Sequence, residues 1–184
     1  MLFSVCLLIF LMPFMTLVAI LIRLESPGRA LFLQQRVGLD GRSFTIYKFR
    51  TMRNADDGSK AKFADKHDAR VTKIGKVLRK ARIDELPQLW NVIIGEMSLI
   101  GPRPEQVDLM YVIENEIPLF SLRHSIRPGI TGWAQVRQGY ADDISTTREK
   151  LAHDLWYVSN VSILVDISIA IRTLQVVFNG FGSR

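Results

Sequence analysis

Met1-Leu-Phe-Ser-Val-Cys-Leu-Leu-Ile-Phe-Leu-Met-Pro-Phe-Met-Thr-Leu-Val-Ala-Ile-Leu-Ile22 decides the fold class, because no residue in it is charged. As a helix rising ~1.5 Å per residue it would reach ~33 Å, enough to cross a bilayer core. A secretory signal needs a basic start and a small-residue cleavage site, and neither stands here. Two membrane readings stay open on the residues alone. A spanning helix would leave Arg23, Arg29 and Arg36 to hold the following domain in the cytoplasm. A re-entrant helix would bend at Pro13, which has no amide donor and clashes with the carbonyl four residues back. A helix buried in a core is the plain third reading, for which the run is long.

Outward from this run, Glu25-Ser-Pro-Gly28 reads as a turn. Ala30 to Met52 reads as a β-hairpin closed at Asp40-Gly41, with Phe44, Ile46 and Lys48 alternating with Thr45, Tyr47 and Phe49. Asn54 to Arg70 is polar and dense in charge, a loop expected to be mobile and to close over a ligand. Val71 to Arg82 has helical period, with Ile74, Val77, Leu78 and Ala81 as one stripe and five basic residues around it. Such a helix suits an anionic membrane surface, or is simply a solvated face. Asp84 to Ile94 is predicted as a helix ended by Gly95, and Pro104 to Glu116 as another. Thr146 to Ser159 is a further helix, with Thr146 and Glu149 spaced as a capping box. Val161 to Phe178 is a richly apolar helix with Ser162, Asp166, Arg172 and Thr173 on a polar stripe. Its charges argue against a second span, leaving it in the core or flat at a membrane interface.

A length of 184 residues favours one domain. Hydrophobic residues at 48% beside charged residues at 23% exclude both a disordered tail and a bundle of spans. Lys plus Arg number 24 against 18 Asp plus Glu, and the net charge of +6 points to an anionic partner. One cysteine, Cys6, excludes a disulfide framework and a cysteine zinc site, and His67, His124 and His153 show no ligand spacing. No GxxxxGK[ST], GxGxxG or GxSxG occurs, so the usual nucleotide cradles and the serine-hydrolase elbow are missing. Nor is there a nucleic-acid-binding motif.

Three clusters carry chemistry. In Arg79-Lys-Ala-Arg-Ile-Asp-Glu-Leu-Pro-Gln-Leu-Trp90, Asp84 stands at a predicted N-cap with Pro87 in the first turn. Asp84 and Glu85 could merely cap the helix and complement its dipole. Against that, two acids follow Arg79 and Arg82, and a helix start offers amides to phosphate while favouring an ionised carboxylate, ready as a nucleophile. Adjacent residues point roughly 100° apart on a helix, which favours divided roles over a shared proton. In Gly101-Pro-Arg-Pro104 the prolines stiffen the segment and hold Arg103 for a bidentate grip on phosphate. In Arg127-Pro-Gly-Ile-Thr-Gly-Trp-Ala-Gln-Val136 the glycines allow close backbone approach, and Trp133 either stacks on a base or belongs to the core.

Taken with Arg36-Val-Gly, Ile46-Tyr-Lys-Phe-Arg-Thr-Met52, Met97-Ser-Leu-Ile-Gly-Pro-Arg-Pro104 and Asp154-Leu-Trp-Tyr157 ahead of Asp166, these stretches resemble the bacterial sugar transferase family, the monotopic phosphoglycosyl transferases. The resemblance runs from about Leu7 to the C-terminus. It implies an α+β fold, mainly helical with a small antiparallel β-hairpin, anchored by a proline-broken re-entrant helix over residues 1–24 and by interfacial amphipathic helices. Residues 25–184 would then form the catalytic domain on the cytoplasmic face of the bacterial inner membrane. The implied reaction passes a sugar-1-phosphate from a UDP-sugar to undecaprenyl phosphate and releases UMP, the first membrane step of exopolysaccharide, capsule, O-antigen or glycoprotein glycan assembly. Asp84 would be the nucleophile that forms a covalent phosphosugar intermediate, and Glu85 its partner on magnesium, with Asp84 also at the metal. Arg103, Arg79 and Lys48 would contact phosphate, with Arg127 and Gln135 as further substrate contacts. The chain departs from the family in lacking a basic lead-in, in Met12-Pro13 where Ser-Pro is common, and in Glu96 where Asp is frequent. That start fits a shortened chain or a catalytic domain cut from a longer one. Rival readings are a UDP-sugar hydrolase on the same site and a non-catalytic membrane adaptor.

Overall fold

The computed structural model describes residues 2–53, 68–138 and 143–179. The charged loop expected over 54–70 lies mostly outside the described residues, as does the chain end after Asn179. The order is α1 (Leu2–Glu25), β1 (Leu31–Val37), β2 (Ser43–Phe49), α2 (Lys73–Lys80), α3 (Leu89–Ile93), β3 (Ser98–Ile100), α4 (Val107–Glu116), β4 (Gly129–Thr131), α5 (Trp133–Arg137), α6 (Ile144–Ser159) and α7 (Ile163–Asn179). The architecture is mainly helical with a small antiparallel hairpin. A second, parallel pair, β3 with β4, joins Ser98 to Gly129 and Ile100 to Thr131 and was not expected from the sequence.

The hairpin is the hub. Its strands run in register from Leu31 opposite Phe49 to Val37 opposite Ser43. The reversal uses Asp40 at φ 53° and Gly41 at φ 75°, left-handed backbone that Asp and Gly tolerate best. Three of its residue groups feed three separate cores. Val37 packs with Met110, Ile113, Ile117, Phe120 and Leu151. Phe44 and Ile46 pack with Val92 and Met97. Phe49 packs with Leu78 and with Val18 and Ile22 of α1. A fourth core, Val136, Tyr157 and Ile169, seats α7 against α5 and α6.

Only the C-terminal part of α1 docks in these cores. Phe3, Phe10, Met12 and Leu17 are exposed, with Phe10 at 80%. The helix is continuous from Leu2 to Glu25 with Pro13 inside it, and it is long and apolar enough to cross a membrane. Its end is fastened to the next layer. Glu25 accepts from the amides of Lys73 and Ile74 at 2.7 and 3.1 Å, so α1 helps cap α2, beside Thr72, whose hydroxyl accepts from Gly75 at 2.9 Å. Arg50 donates to the carbonyls of Ser26 and Pro27 at 2.6 and 2.7 Å and fixes the turn between α1 and β1.

Two local readings need correction. In α2 the inward positions are Gly75 and Leu78, whereas Val77 is 64% exposed. A Cβ at position 75 would fall 2.1 Å from the Thr51 carbonyl, so the closest approach there demands glycine. In α6 the capping box is formed by Asp143 with Thr146, one residue ahead of the helix. Glu149 instead accepts from Gln138 at 3.2 Å. On α7, Asp166 accepts from the Tyr157 hydroxyl at 2.7 Å and Thr173 bonds Thr131 at 2.7 Å, while Ile163, Leu164, Ile167, Ile171 and Leu174 stay exposed. The helix is therefore half core and half bare apolar face.

Candidate functional site

The predicted helix from Asp84 to Ile94 is not one helix. Arg82 takes φ 54° and ends α2, and the chain then runs as a 3₁₀ turn over Ile83–Gln88 into the short α3. Asp84 is thus inside the turn and caps nothing. Asn91 sets the turn's distance from the hairpin. Fully buried, it donates to the Thr45 carbonyl at 2.7 Å and to Glu96 at 2.8 Å, and accepts from the Tyr47 amide at 3.2 Å. That clamp brings Lys48 of β2 over the turn.

Glu85 is the centre of the site. Its Oε1 accepts from Arg103 at 2.6 Å and from Lys48 at 3.4 Å. Burial alone would raise its carboxyl, but the charges of Arg103 and Lys48 hold it well below the usual range. Lys48 is pushed down to about 8 by burial and by Arg103, against the pull of Glu85. Asp84 is half-buried, and no side-chain hydrogen bond joins it to a described residue. Burial, then the Glu85 charge, push it up to about 6, against Lys48, Arg103 and Arg79. The helix start expected to favour its ionised form is not there; burial first and then the Glu85 charge raise this carboxyl. The two acids sit in different surroundings, and their carboxyls shift in opposite directions. Glu85 is locked as an anion, and Asp84 has no side-chain hydrogen bond among the described residues.

Arg103 reaches this pair from the Gly-Pro-Arg-Pro loop between β3 and α4. Gly101, Gly129 and Gly132 let that loop lie backbone to backbone on the β4 segment. A Cβ at Gly129 would fall 2.1 Å from the Gly101 nitrogen, and one at Gly132 would fall 2.2 Å from the Gly101 carbonyl. Arg79 donates to Thr51 at 2.9 Å, which holds it at the edge of the site, where its charge acts on Asp84.

The structure thus brings together Lys48, Arg79, Asp84, Glu85 and Arg103. Arg127 and Gln135 do not touch the acidic pair. Arg127 is exposed and donates to the Gly95 carbonyl at 2.9 Å. Gln135 is buried against the glycine contact, with its Nε2 on the Ile130 carbonyl at 3.3 Å and its Oε1 without a partner among the described residues. Trp133 stacks on Trp156 with centroids 4.6 Å apart, under the Arg137 guanidinium at 4.4 Å.

Sequence reasoning missed Arg123, Asp154 and Glu105. The Arg123 side chain is 0% exposed and pairs with Asp154 at 2.7 Å and with Glu105 at 3.4 Å, and Lys150 also pairs with Glu105. One signal was legible. Thr147, Leu151 and Asp154 share one helical face, and an acid on an inward stripe needs a buried cation.

As a cation site, the acidic pair offers two carboxylates, and the described residues hold no group of three or more His, Cys, Asp or Glu able to close a cage. With one Glu85 oxygen already held by Arg103 and Lys48, a magnesium ion here would need waters and phosphate oxygens for most of its shell.

A family model described as bacterial sugar transferase matches residues 1–180. A UDP-N-acetylgalactosamine-undecaprenyl-phosphate N-acetylgalactosaminephosphotransferase of Aeromonas hydrophila is 52% identical over 172 residues, covering 94% of this chain and 41% of that protein. A UDP-glucose:undecaprenyl-phosphate glucose-1-phosphate transferase of Caulobacter vibrioides is 44% identical, covering 88% of this chain and 61% of that protein. The exopolysaccharide production protein PSS of Rhizobium leguminosarum bv. phaseoli is 42% identical, covering 93% and 88%. The chain therefore spans about two-fifths and three-fifths of the first two relatives.

Proposed function

The chain belongs to the bacterial sugar transferase family, and from that premise we propose that it transfers a sugar-1-phosphate from a UDP-sugar to undecaprenyl phosphate, with UMP as the leaving group. The single observation that carries the reading is the acid pair: Asp84, its carboxyl raised to about 6, beside a Glu85 fixed by Arg103 and Lys48.

In this reading an Asp84 carboxylate oxygen attacks the sugar-linked phosphorus, forming a P–O bond as the bond to UMP breaks. The phosphate oxygen of the lipid then attacks the same phosphorus, forms the lipid diphosphosugar and returns Asp84 as a carboxylate. Near pH 7 Asp84 is mostly ionised, yet more basic than a free aspartate, which favours attack. Arg103 and Lys48 face the negative charge that gathers on the diphosphate. Arg79 contributes at the edge, while Gln135 and Arg127 stand away from the phosphorus, on the Ile130 and Gly95 carbonyls. Magnesium bound at Asp84 and Glu85 would offset charge on the diphosphate and help UMP depart.

The exposed α1 and the bare face of α7 suit a membrane. On this reading α1 enters the inner membrane from the cytoplasmic side and returns at Pro13, so that residues 25–184 meet the lipid phosphate at the cytoplasmic interface. The reaction opens the assembly of an exopolysaccharide or related glycan.

The test is to incubate the protein with UDP-sugars carrying a labelled sugar and phosphate, with magnesium and no lipid, and to measure protein-bound label. Label should stay on the wild-type protein, be discharged by undecaprenyl phosphate, and be absent from Asp84→Asn. Steady UMP release without lipid would instead favour a hydrolase, and no UMP release with any UDP-sugar would favour an adaptor.

A further inference from the structure

We propose that Arg123 is a positioning residue for Arg103, holding the Arg103 backbone through a buried ion pair with Asp154; the proposal rests on the transferase reading only for its kinetic consequences.

The loop from Gly101 to Glu105 has no regular structure, and Pro102 and Pro104 have no amide to donate. It is held chiefly through its carbonyls. Pro102 accepts from the Gly129 amide at 2.9 Å, and Glu105 accepts from the Val37 amide at 2.9 Å. Pro104 accepts from Arg36 Nη1 at 3.1 Å. The Arg103 carbonyl accepts from Arg123 Nη2 at 2.8 Å. Four consecutive carbonyls are thus pinned from three places, β4, Arg123 and the end of β1, and the pin on Arg103 itself is a guanidinium.

That guanidinium is costly to keep. Its side chain is 0% exposed, and a charge so buried survives only with partners. Asp154 supplies them at 2.9 Å to Nε and 2.7 Å to Nη2, Glu105 adds a contact at 3.4 Å to Nη1, and the Phe120 ring lies 4.9 Å from its centre. The rigid fork serves Asp154, the Arg103 carbonyl and Glu105 at once. A lysine ammonium could keep the charge opposite Asp154 but not all of these bonds. Arg103 then carries the alignment to Oε1 of Glu85 at 2.6 Å.

A double-mutant cycle separates positioning from plain stapling of α6 to the loop. UMP release is compared for the wild type, Arg123→Lys, Arg103→Gln and the double variant, with melting curves for each. Arg123→Lys should lower kcat about tenfold or more while most of the protein stays folded, and should add no more than about twofold to the loss from Arg103→Gln alone. Multiplying losses would overturn the proposal, as would an Arg123→Lys enzyme of wild-type kcat. If Arg123→Lys does not fold, Asp154→Asn, which keeps the arginine and weakens its anchor, should show the same non-additivity with Arg103→Gln. A second readout needs no turnover. The side-chain Nε resonance of Arg103, assigned with Arg103→Gln, should shift in Arg123→Lys or Asp154→Asn, and an unchanged resonance would overturn the proposal. A wild type that releases no UMP, with that resonance still responding to Arg123, would sink the transferase reading and leave the positioning role standing.

Discussion

Arg103 and Glu85, 18 residues apart in the chain, meet at 2.6 Å across the mouth of the site. The contact is charge-assisted and partly shielded from water, with side-chain exposures of 25% and 9%. Removing the guanidinium would strip Glu85 of its shortest ion pair and, on the proposed reaction, take a cation from the diphosphate. Arg103→Gln should lower kcat/KM on the order of 10²–10³-fold, as loss of a preorganised charge contact does. Because Glu85 is buried and loses its closest partner, the melting temperature should fall as well. A loss under tenfold, measured by UMP release, would remove Arg103 from the phosphate site.

The site should work between two titrations. Asp84 must be ionised to attack, and its carboxyl sits at about 6. Lys48 must be charged, and its ammonium sits at about 8. A bell-shaped profile of kcat/KM in the free enzyme is expected, rising near pH 6 and falling near pH 8. Lys48→Arg should extend the alkaline side, since a guanidinium stays charged there. An alkaline limb unmoved in Lys48→Arg would assign that limb to another group.

Asp84 should also cost stability where it works. Its folded value lies above the model-peptide value of 3.8, so the folded chain holds that proton more tightly. The contribution favours folding most below pH 4 and is lost as pH rises through about 6. In metal-free protein, Asp84→Asn should therefore melt higher than the wild type at pH 8 and show a smaller advantage at pH 5, although it cannot turn over. Glu105 acts in the opposite sense. Its folded value of about 2 gives stability above its ordinary range that disappears as acid protonates it. Melting curves at both pH values check the sign, and an Asp84→Asn protein less stable at pH 8 contradicts it.

Gly129→Ala should damage both fold and site. The new methyl would lie 2.1 Å from the Gly101 nitrogen and 2.5 Å from the Thr131 carbonyl, both backbone atoms. Overpacking of this kind costs about 1–3 kcal/mol, and in a chain of this size each kcal/mol lowers Tm by about 2–4 °C. Activity should fall further than stability, because the displaced loop carries Arg103. Equal Tm and turnover to wild type would show that the two loops can part without consequence.

The re-entrant placement of α1 has its own check. In a Cys6→Ser background, Leu2→Cys should resist a membrane-impermeant thiol reagent added outside intact cells and react when the reagent is given to inverted vesicles. Reaction from outside would mean that α1 spans.

Much of this arrangement was legible in the sequence because it is local. Asp40-Gly41 announces its own turn, and Arg103 between two prolines announces a stiff loop. The errors arose where a neighbour overrode local pattern. Val77 fits an apolar stripe, yet the Thr51 carbonyl took the inner place and admitted only Gly75. Asp84 has the chemistry of a cap, yet the left-handed Arg82 stopped α2 and sent the chain into a 3₁₀ turn. Thr146 did enter a capping box, but as the reciprocal partner of Asp143. Arg123 and Asp154 were invisible as a pair because 31 residues separate them and neither belongs to a local pattern that names the other. The strands β3 and β4 are three residues each, too short for any alternation to be read.

Glu25 binds the first amides of α2, and Arg79 leaves from the last turn of the same helix. Eight residues at ~1.5 Å each make that helix a rod of roughly 12 Å. One end is therefore fastened to the apolar helix α1, and the other carries a cation whose charge acts on Asp84. On the membrane reading proposed above, a displacement of α1 would therefore reach Arg79 through this helix.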